Sequence, residues 1–406
     1  MSSDWLGKGF IGPLAAFAPG FAHHLSRLGY AGGSICHQIR LLRLLSRWLA
    51  DHSLEAADLH MDEVGRFLHS RRAAGYRKFC SVKALRPALD YLRDLSVAPP
   101  PSRVEAVGPT DLLLERYGHY LLVERALAPS SVRLYVDGAR PFLDRRCSVD
   151  GKALDLTTLT TADVISFVVQ YCSQRGNRSA KHLVKVLRSL LRFLHVEGII
   201  DGSLAAAVPS VSNRHLVGLP KALDPEQVQS LLASCDTTTP TGCRDFAILT
   251  TLVRLGLRSI EVSRLRIDDI DWRAGEIVVH GKLNRADRLP LPSDVGASLV
   301  AYLENGRPAN VPSRNLFIYA IAPYRPLGAG GVASLVVNAA RRAGIGRVSA
   351  HRLRHTAATE MLRAGASLPE IGQVLRHSRA MTTAIYAKID LTALRAIARP
   401  WPGEVA

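Results

Sequence analysis

The stretch AHRLRHTAATEML, residues 350–362, carries more information than any other part of the chain. Read as a helix, it places His351, Arg354 and His355 on one face, at i, i+3 and i+4. Leu353, Ala357 and Met361 fall on another face and should turn to a core. Three candidate cations on one face repel one another, so the arrangement makes sense around an anion. The bland alternatives are a solvated basic face, or a core histidine satisfied by hydrogen bonds at either His351 or His355. A zinc pair of His351 and His355 lacks the glutamate that a metalloprotease helix carries after its first histidine, because Arg352 stands there.

Working outward, SLPEIGQVLRHSRAMTTAIYAKI (367–389) follows. Ser367 and Glu370 form a capping box around Pro369, and the helix should run to about Arg376. A turn with His377 and Ser378 comes next, then a short helix bearing Tyr386 and anchored by Met381 and Ile385. Upstream, LVRLGLRSIEVSRLRIDDID (252–271) sets Arg258 just after a helix that stops at Gly256. GEIVVHG and DRLPLP read as two strands joined by KLNRA, with Lys282 at the hairpin tip. Taken singly, each of these residues reads equally well as a surface cation or a half-buried tyrosine.

The 406 residues carry 52 Lys plus Arg against 35 Asp plus Glu, a formal net charge of +17. Such a surplus points to a polyanionic partner: DNA, RNA or an anionic membrane. No run approaches the ~18 apolar residues of a membrane span, and the basic start and clean apolar run of a signal peptide are missing. Six cysteines form no CxxC pair, which suits scattered thiols in a reducing cytosol.

The first half is helical in pattern. In Ser34–Leu49 an apolar stripe of Ile39, Leu42, Leu45 and Leu49 lies opposite Arg40, Arg43 and Arg47. In Arg178–Val196, Lys181, Lys185, Arg188 and Arg192 form a basic stripe at i, i+4, i+7 and i+11. Both stripes are candidate DNA-backbone contacts. MDEVGRFL (61–68) parallels TADVISFV (161–168), RPALDYL (86–92) parallels RSLLRFL (188–194), and YAGGSI (30–35) sits opposite LAPSSV (127–132), which suggests two related helical modules. Pro87 should disturb the helix of the first copy. VAPPPSR (97–103) reads as a linker, and Asp224, Pro225 and Gln227 announce a helix after a second boundary at 208–220. The expected organisation is an N-terminal helical module (1–100), a second helical module (108–205) and a mixed C-terminal domain with its tail (215–406). The expected fold is mainly α with a small antiparallel β-sheet in the C-terminal domain.

GLRSIEVSRLRIDDID, HGKLNRADRLPLP, HRLRHTAAT and VLRHSRAMTTAIYAKI, in this order, make the chain resemble the tyrosine recombinase (phage integrase) family. The resemblance covers about residues 215–390, and less specifically a SAM-like core-binding module at 108–200. It implies six catalytic residues: Arg258, Lys282, His351, Arg354, His377 and the nucleophile Tyr386. Arg376 departs from the pattern, standing where the family usually has glycine. The implied reaction cuts and rejoins DNA through a 3′-phosphotyrosyl link, with no metal, ATP or other cofactor. His351 is the candidate base, Lys282 the proton donor to the leaving 5′-oxygen, and His377 a further donor to the phosphate. Implied partners are double-stranded DNA and related subunits in a homo- or hetero-tetramer, in the bacterial cytoplasm at the nucleoid. Leu391, Leu394 and Ile397 of the tail are candidates for subunit contacts. The alternatives are a non-catalytic DNA-binding protein of the same fold or a type IB topoisomerase. A metal-dependent nuclease would need converging carboxylates, for which Asp268, Asp269 and Asp271 are the best local cluster.

Overall fold

The computed structural model describes residues 10–100, 108–148, 153–174, 177–210, 222–281, 286–309, 311, 313–376, 383 and 386. Two compact units emerge, one of residues 1–99 with 216–406, the other of residues 100–215.

The first unit opens with α1 (Ala18–Arg27), α2 (Gly32–Asp51), α3 (Met61–Ala73) and α4 (Val82–Asp94). Their apolar faces close on a core of Leu25, Ile39, Leu42, Leu45, Leu49, Phe67, Leu89 and Leu92. The arginine stripe of α2 stays on the exposed side, as helical periodicity requires. Pro87 lies inside α4, and the helix continues through it to Asp94. The expected disturbance is absent because Leu85, Leu89 and Leu92 are fully buried on one face. That burial outweighs the one backbone hydrogen bond that proline removes.

The second unit holds α5 (Pro109–Val123), α6 (Pro129–Asp144), α7 (Thr161–Gln174) and α8 (Asn177–Val196). Prolines begin α5 and α6, where a missing N–H costs nothing. Its core joins Leu114, Tyr117, Leu143, Phe167, Leu187, Leu191 and Leu194. The matched sequence segments fall on corresponding elements. Residues 61–68 and 161–168 begin α3 and α7, 86–92 and 188–194 lie in α4 and α8, and 30–35 and 127–132 lead into α2 and α6.

The rest of the first unit is built around α10 (Pro240–Leu255), preceded by α9 (Pro225–Ala233) and followed by α11 (Ser259–Arg264). Asp224 and Gln227 form the capping box that starts α9. Helix α10 is buried along most of its length, against α12 (Ser293–Ala301) and α14 (Ala350–Arg363). Between α11 and α12 the chain forms an antiparallel sheet in the order β1 (Ile270–Asp271), β2 (Glu276–His280) and β3 (Ala286–Pro290). Ile277 pairs with Leu289, and Ile277, Val279 and Leu289 turn to the core. The chain continues through α13 (Ala329–Arg342) and, after α14, α15 (Leu368–Val374). Ser367 and Glu370 cap α15 reciprocally. This helix stops at Val374, before Arg376, which takes the left-handed conformation with φ +55°. No helix among the described residues is long and apolar enough to cross a membrane.

Candidate active site

Gly256 closes α10 with φ +60°. A Cβ there would stand 2.6 Å from a methyl group of Leu375 and 3.2 Å from the Cβ of Ala357. Glycine therefore satisfies both the backbone conformation and the close approach of three segments. Arg354, 2% exposed, reaches into this junction. Its Nη1 donates to the Gly256 carbonyl at 2.7 Å and its Nη2 donates to the Leu375 carbonyl. The guanidinium thus ties the ends of α10 and α15 together and keeps further N–H donors in hand. Burial, and then the charges of Arg258 and Arg376, pull its pKa down to about 10. It remains cationic at neutral pH.

Arg258 stands at the N-cap of α11, one turn before Glu261. Its backbone N–H donates to Glu261 Oε2 at 2.8 Å, and its Nη1 donates to Oε1 at 2.6 Å. Arg376 Nη2 donates to Glu261 Oε2, also at 2.6 Å. Burial alone would raise the Glu261 pKa, but the Arg258 amide and the two guanidiniums outweigh it and hold the carboxyl below its usual range.

Tyr386 is 2% exposed and packs with Ala358, Ile371 and Leu375. Burial drives its phenol up to about 12, against the pull of Arg354. Its hydroxyl lies 2.8 Å from Nδ1 of His355. Burial, helped by His351 and Arg354, lowers His355 to about 4. His355 is therefore neutral near pH 7, and the face of α14 carries fewer cations than three. We assign the imidazole proton to Nε2, so that Nδ1 accepts from the phenol. The exposed His351 stands one turn back, with its ring 4.4 Å from that of His355. The hydroxyl is thus held between a neutral acceptor and a cationic neighbourhood, and burial still disfavours its ionisation.

The sequence profile of the phage integrase family matches residues 221–392, and that of the family's N-terminal SAM-like domain matches residues 114–198. A Sinorhizobium fredii protein named as an integrase/recombinase is 41% identical over 403 residues, 97% of this chain and 96% of its own. The chain belongs to the phage integrase family of tyrosine recombinases. The tyrosine recombinase XerD of Listeria monocytogenes is 31% identical over 288 residues, 70% of this chain and 96% of its own. Among solved structures, XerH bound to its palindromic difH substrate in a post-cleavage complex shares the fold, with TM-score 0.56 and 18% identity over 82% of this chain and 93% of that one.

In this recombinase the structure brings Arg258, Arg354 and Tyr386 into one neighbourhood, with His351 on the adjoining turn of α14. Lys282, His377 and the tail residues Leu391, Leu394 and Ile397 lie outside the described residues. The sequence does not reveal the Tyr386–His355 contact or the Glu261–Arg376 ion pair. The Arg258–Glu261 spacing was the available signal, since it is that of a capping box. Asp268 pairs with Arg314, Asp269 accepts from the Arg266 amide and lies 2.9 Å from His280, and Asp271 accepts from the amides of Arg273 and Ala274. These carboxylates are committed to holding turns.

In the 100–215 unit, Lys181, Lys185, Arg188 and Arg192 do meet in one groove of about 510 Å³, joined by Arg125, Tyr135 and Ser210. Lys185 Nζ stands 5.2 Å from the centre of the Tyr135 ring, and Arg188 donates to the Val208 carbonyl and to Ser210. Arg40, Arg43 and Arg47 project from α2 as a separate exposed row.

Proposed function

We propose that this chain is a site-specific recombinase that cuts and rejoins DNA strands through a 3′-phosphotyrosyl intermediate on Tyr386, serving the integration, excision or transposition of a mobile element. The observation that carries this reading is the Tyr386 hydroxyl, hydrogen-bonded to neutral His355 beside Arg354.

A phosphodiester is anionic and repels nucleophiles until its charge is met. Arg258 and Arg354 offer donors to the nonbridging oxygens, and His377 adds another. The Tyr386 oxygen attacks phosphorus, the bond to the 5′-oxygen breaks, and the phenolic proton goes to His351, directly or through the phosphate, while His355 orients the phenol. Lys282 returns a proton to the leaving 5′-oxygen. The new ester keeps the free energy of the old one. A 5′-hydroxyl from another strand can then reverse the step, with no metal, ATP or other cofactor. Exchange between two duplexes needs four strand cuts, hence a tetramer on DNA. The groove of Lys181, Lys185, Arg188 and Arg192, and the α2 row of Arg40, Arg43 and Arg47, would track phosphates without reading sequence. The matching helices of residues 10–99 and 108–196 favour two related clamps in addition to a catalytic domain. Such a protein would work in the bacterial cytoplasm, on the nucleoid.

The test is covalent capture on nicked suicide duplexes drawn from a library that includes candidate element ends. Wild type should yield a denaturation-resistant protein–DNA adduct, and Tyr386→Phe none. An adduct that persists in Tyr386→Phe sinks the mechanism. Joining of two distinct duplexes separates a recombinase from a topoisomerase.

A further inference from the structure

Arg376 has no part in that scheme, and its setting is unusual. It holds φ +55°, a region L side chains seldom occupy. Its side chain is only 8% exposed. Nη1 donates to the Val374 carbonyl at 3.1 Å and Nη2 to Glu261 at 2.6 Å, while Nε is buried with no hydrogen-bond partner among the described residues. A buried cation in a conformation that suits glycine persists only where the surroundings compensate for it.

Glu261 supplies the compensation. It is 2% exposed, and its two oxygens are shared between Arg258 and Arg376. Around it stand Arg258, Arg354 and Arg376, so three positive charges and one negative leave +2. With a neutral residue at 376 the same sum leaves +1, and the Glu261 charge would fall wholly on Arg258. A phosphodiester gains a second negative charge as an ionised phenol adds to it, so the larger surplus favours the transition state.

We infer that Arg376 is a positioning residue for strand cutting: it neutralises Glu261 from the buried side and so leaves the charge of Arg258 to the scissile phosphate. This rests on the reading above that Arg258 meets that phosphate.

The test uses the full chain and the variants Arg376→Gly, Arg376→Gln, Arg376→Lys, Glu261→Gln and the Arg376→Gly/Glu261→Gln double. Glycine suits the backbone at 376, and circular dichroism melting checks that each variant folds. Inorganic phosphate is titrated calorimetrically, and the component abolished by Arg258→Ala is taken as the site. Arg376→Gly and Arg376→Gln should weaken that component about tenfold, as expected for losing one nearby charge in a partly solvated site. Arg376→Lys should keep most of it. Glu261→Gln, placed in the Arg376→Gly chain, should restore it. Glu261→Gln would also relieve an unpaired buried carboxylate, so the comparison is made only among variants that melt as wild type does, where a rescue of phosphate binding reports charge and not folding. Unchanged phosphate binding in Arg376→Gly, or a double variant no better than the single, overturns the inference. With a captured duplex, Arg376→Gly should slow adduct formation at saturating DNA. If wild type captures no duplex, the phosphotyrosyl reading fails, and the phosphate titration still decides the role of Arg376.

Discussion

Acidification should release Tyr386 from His355, and the cost can be worked out. His355 falls from an ordinary 6.5 to about 4 because burial, His351 and Arg354 disfavour its charged form. Its folded pKa lies below its unfolded one, so the unfolded chain binds the extra proton first. The stability tied to neutral His355 is complete above about pH 6.5 and is lost as pH falls toward about 4. The full difference corresponds to roughly 3.4 kcal/mol at 1.36 kcal/mol per pKa unit. His355 is only partly buried, and solvent screening reduces this to about 1–2 kcal/mol. Protonation also turns Nδ1 into a donor, so the phenol, 2.8 Å away, no longer has an acceptor there. Urea unfolding would be followed by circular dichroism between about pH 7.5 and 4.5, for wild type and His355→Gln. Glutamine keeps a polar partner for Tyr386 but does not titrate. Wild type should lose about 1–2 kcal/mol more than the variant across that range, since carboxylate titrations elsewhere are common to both and cancel. Parallel pH profiles would refute the idea that His355 is held neutral by its surroundings.

Three further outcomes follow from the same geometry. Gly256→Ala places a methyl group 2.6 Å from Leu375 at φ +60°; thermal unfolding should show a loss of about 2–4 kcal/mol from backbone strain and overpacking together, with reduced adduct formation because Arg354 holds that carbonyl. Tyr386→Phe removes one hydrogen bond to His355, and denaturant titration should register a change of only about 0.5–1.5 kcal/mol, so its loss of cleavage cannot be blamed on unfolding. Replacing Lys185 and Arg192 with glutamine should flatten the salt dependence of duplex binding by about 0.9 in log–log slope for each phosphate left without its cation, while an unchanged slope would remove the groove from the DNA path.

What could be read in the sequence was local. The capping boxes at Asp224 and Ser367, the stop at Gly256 and the hairpin of β2 and β3 each depend on residues a few positions apart, and each appears in the fold. The motif order alone brings Arg258, Arg354 and Tyr386 forward. The Glu261–Arg376 pair spans 115 positions and the Tyr386–His355 pair spans 31. Neither periodicity nor spacing reaches that far. The charge of His355 stays open in the sequence for a related reason: the i, i+4 pattern shows its face on the helix, but its protonation depends on how deeply Tyr386 and Arg354 pack beside it. Pro87 is a case of tertiary burial overriding a local signal.

The central claim is that Tyr386 becomes covalently joined to a DNA 3′-phosphate. Digesting the captured adduct with protease and nuclease and mapping the modified peptide by mass spectrometry tests it directly. The expected result is a nucleotide remnant on Tyr386, attached through its 3′-phosphate, with a free 5′-hydroxyl on the released strand. A remnant on any other residue, or a 5′-phosphate linkage, contradicts it.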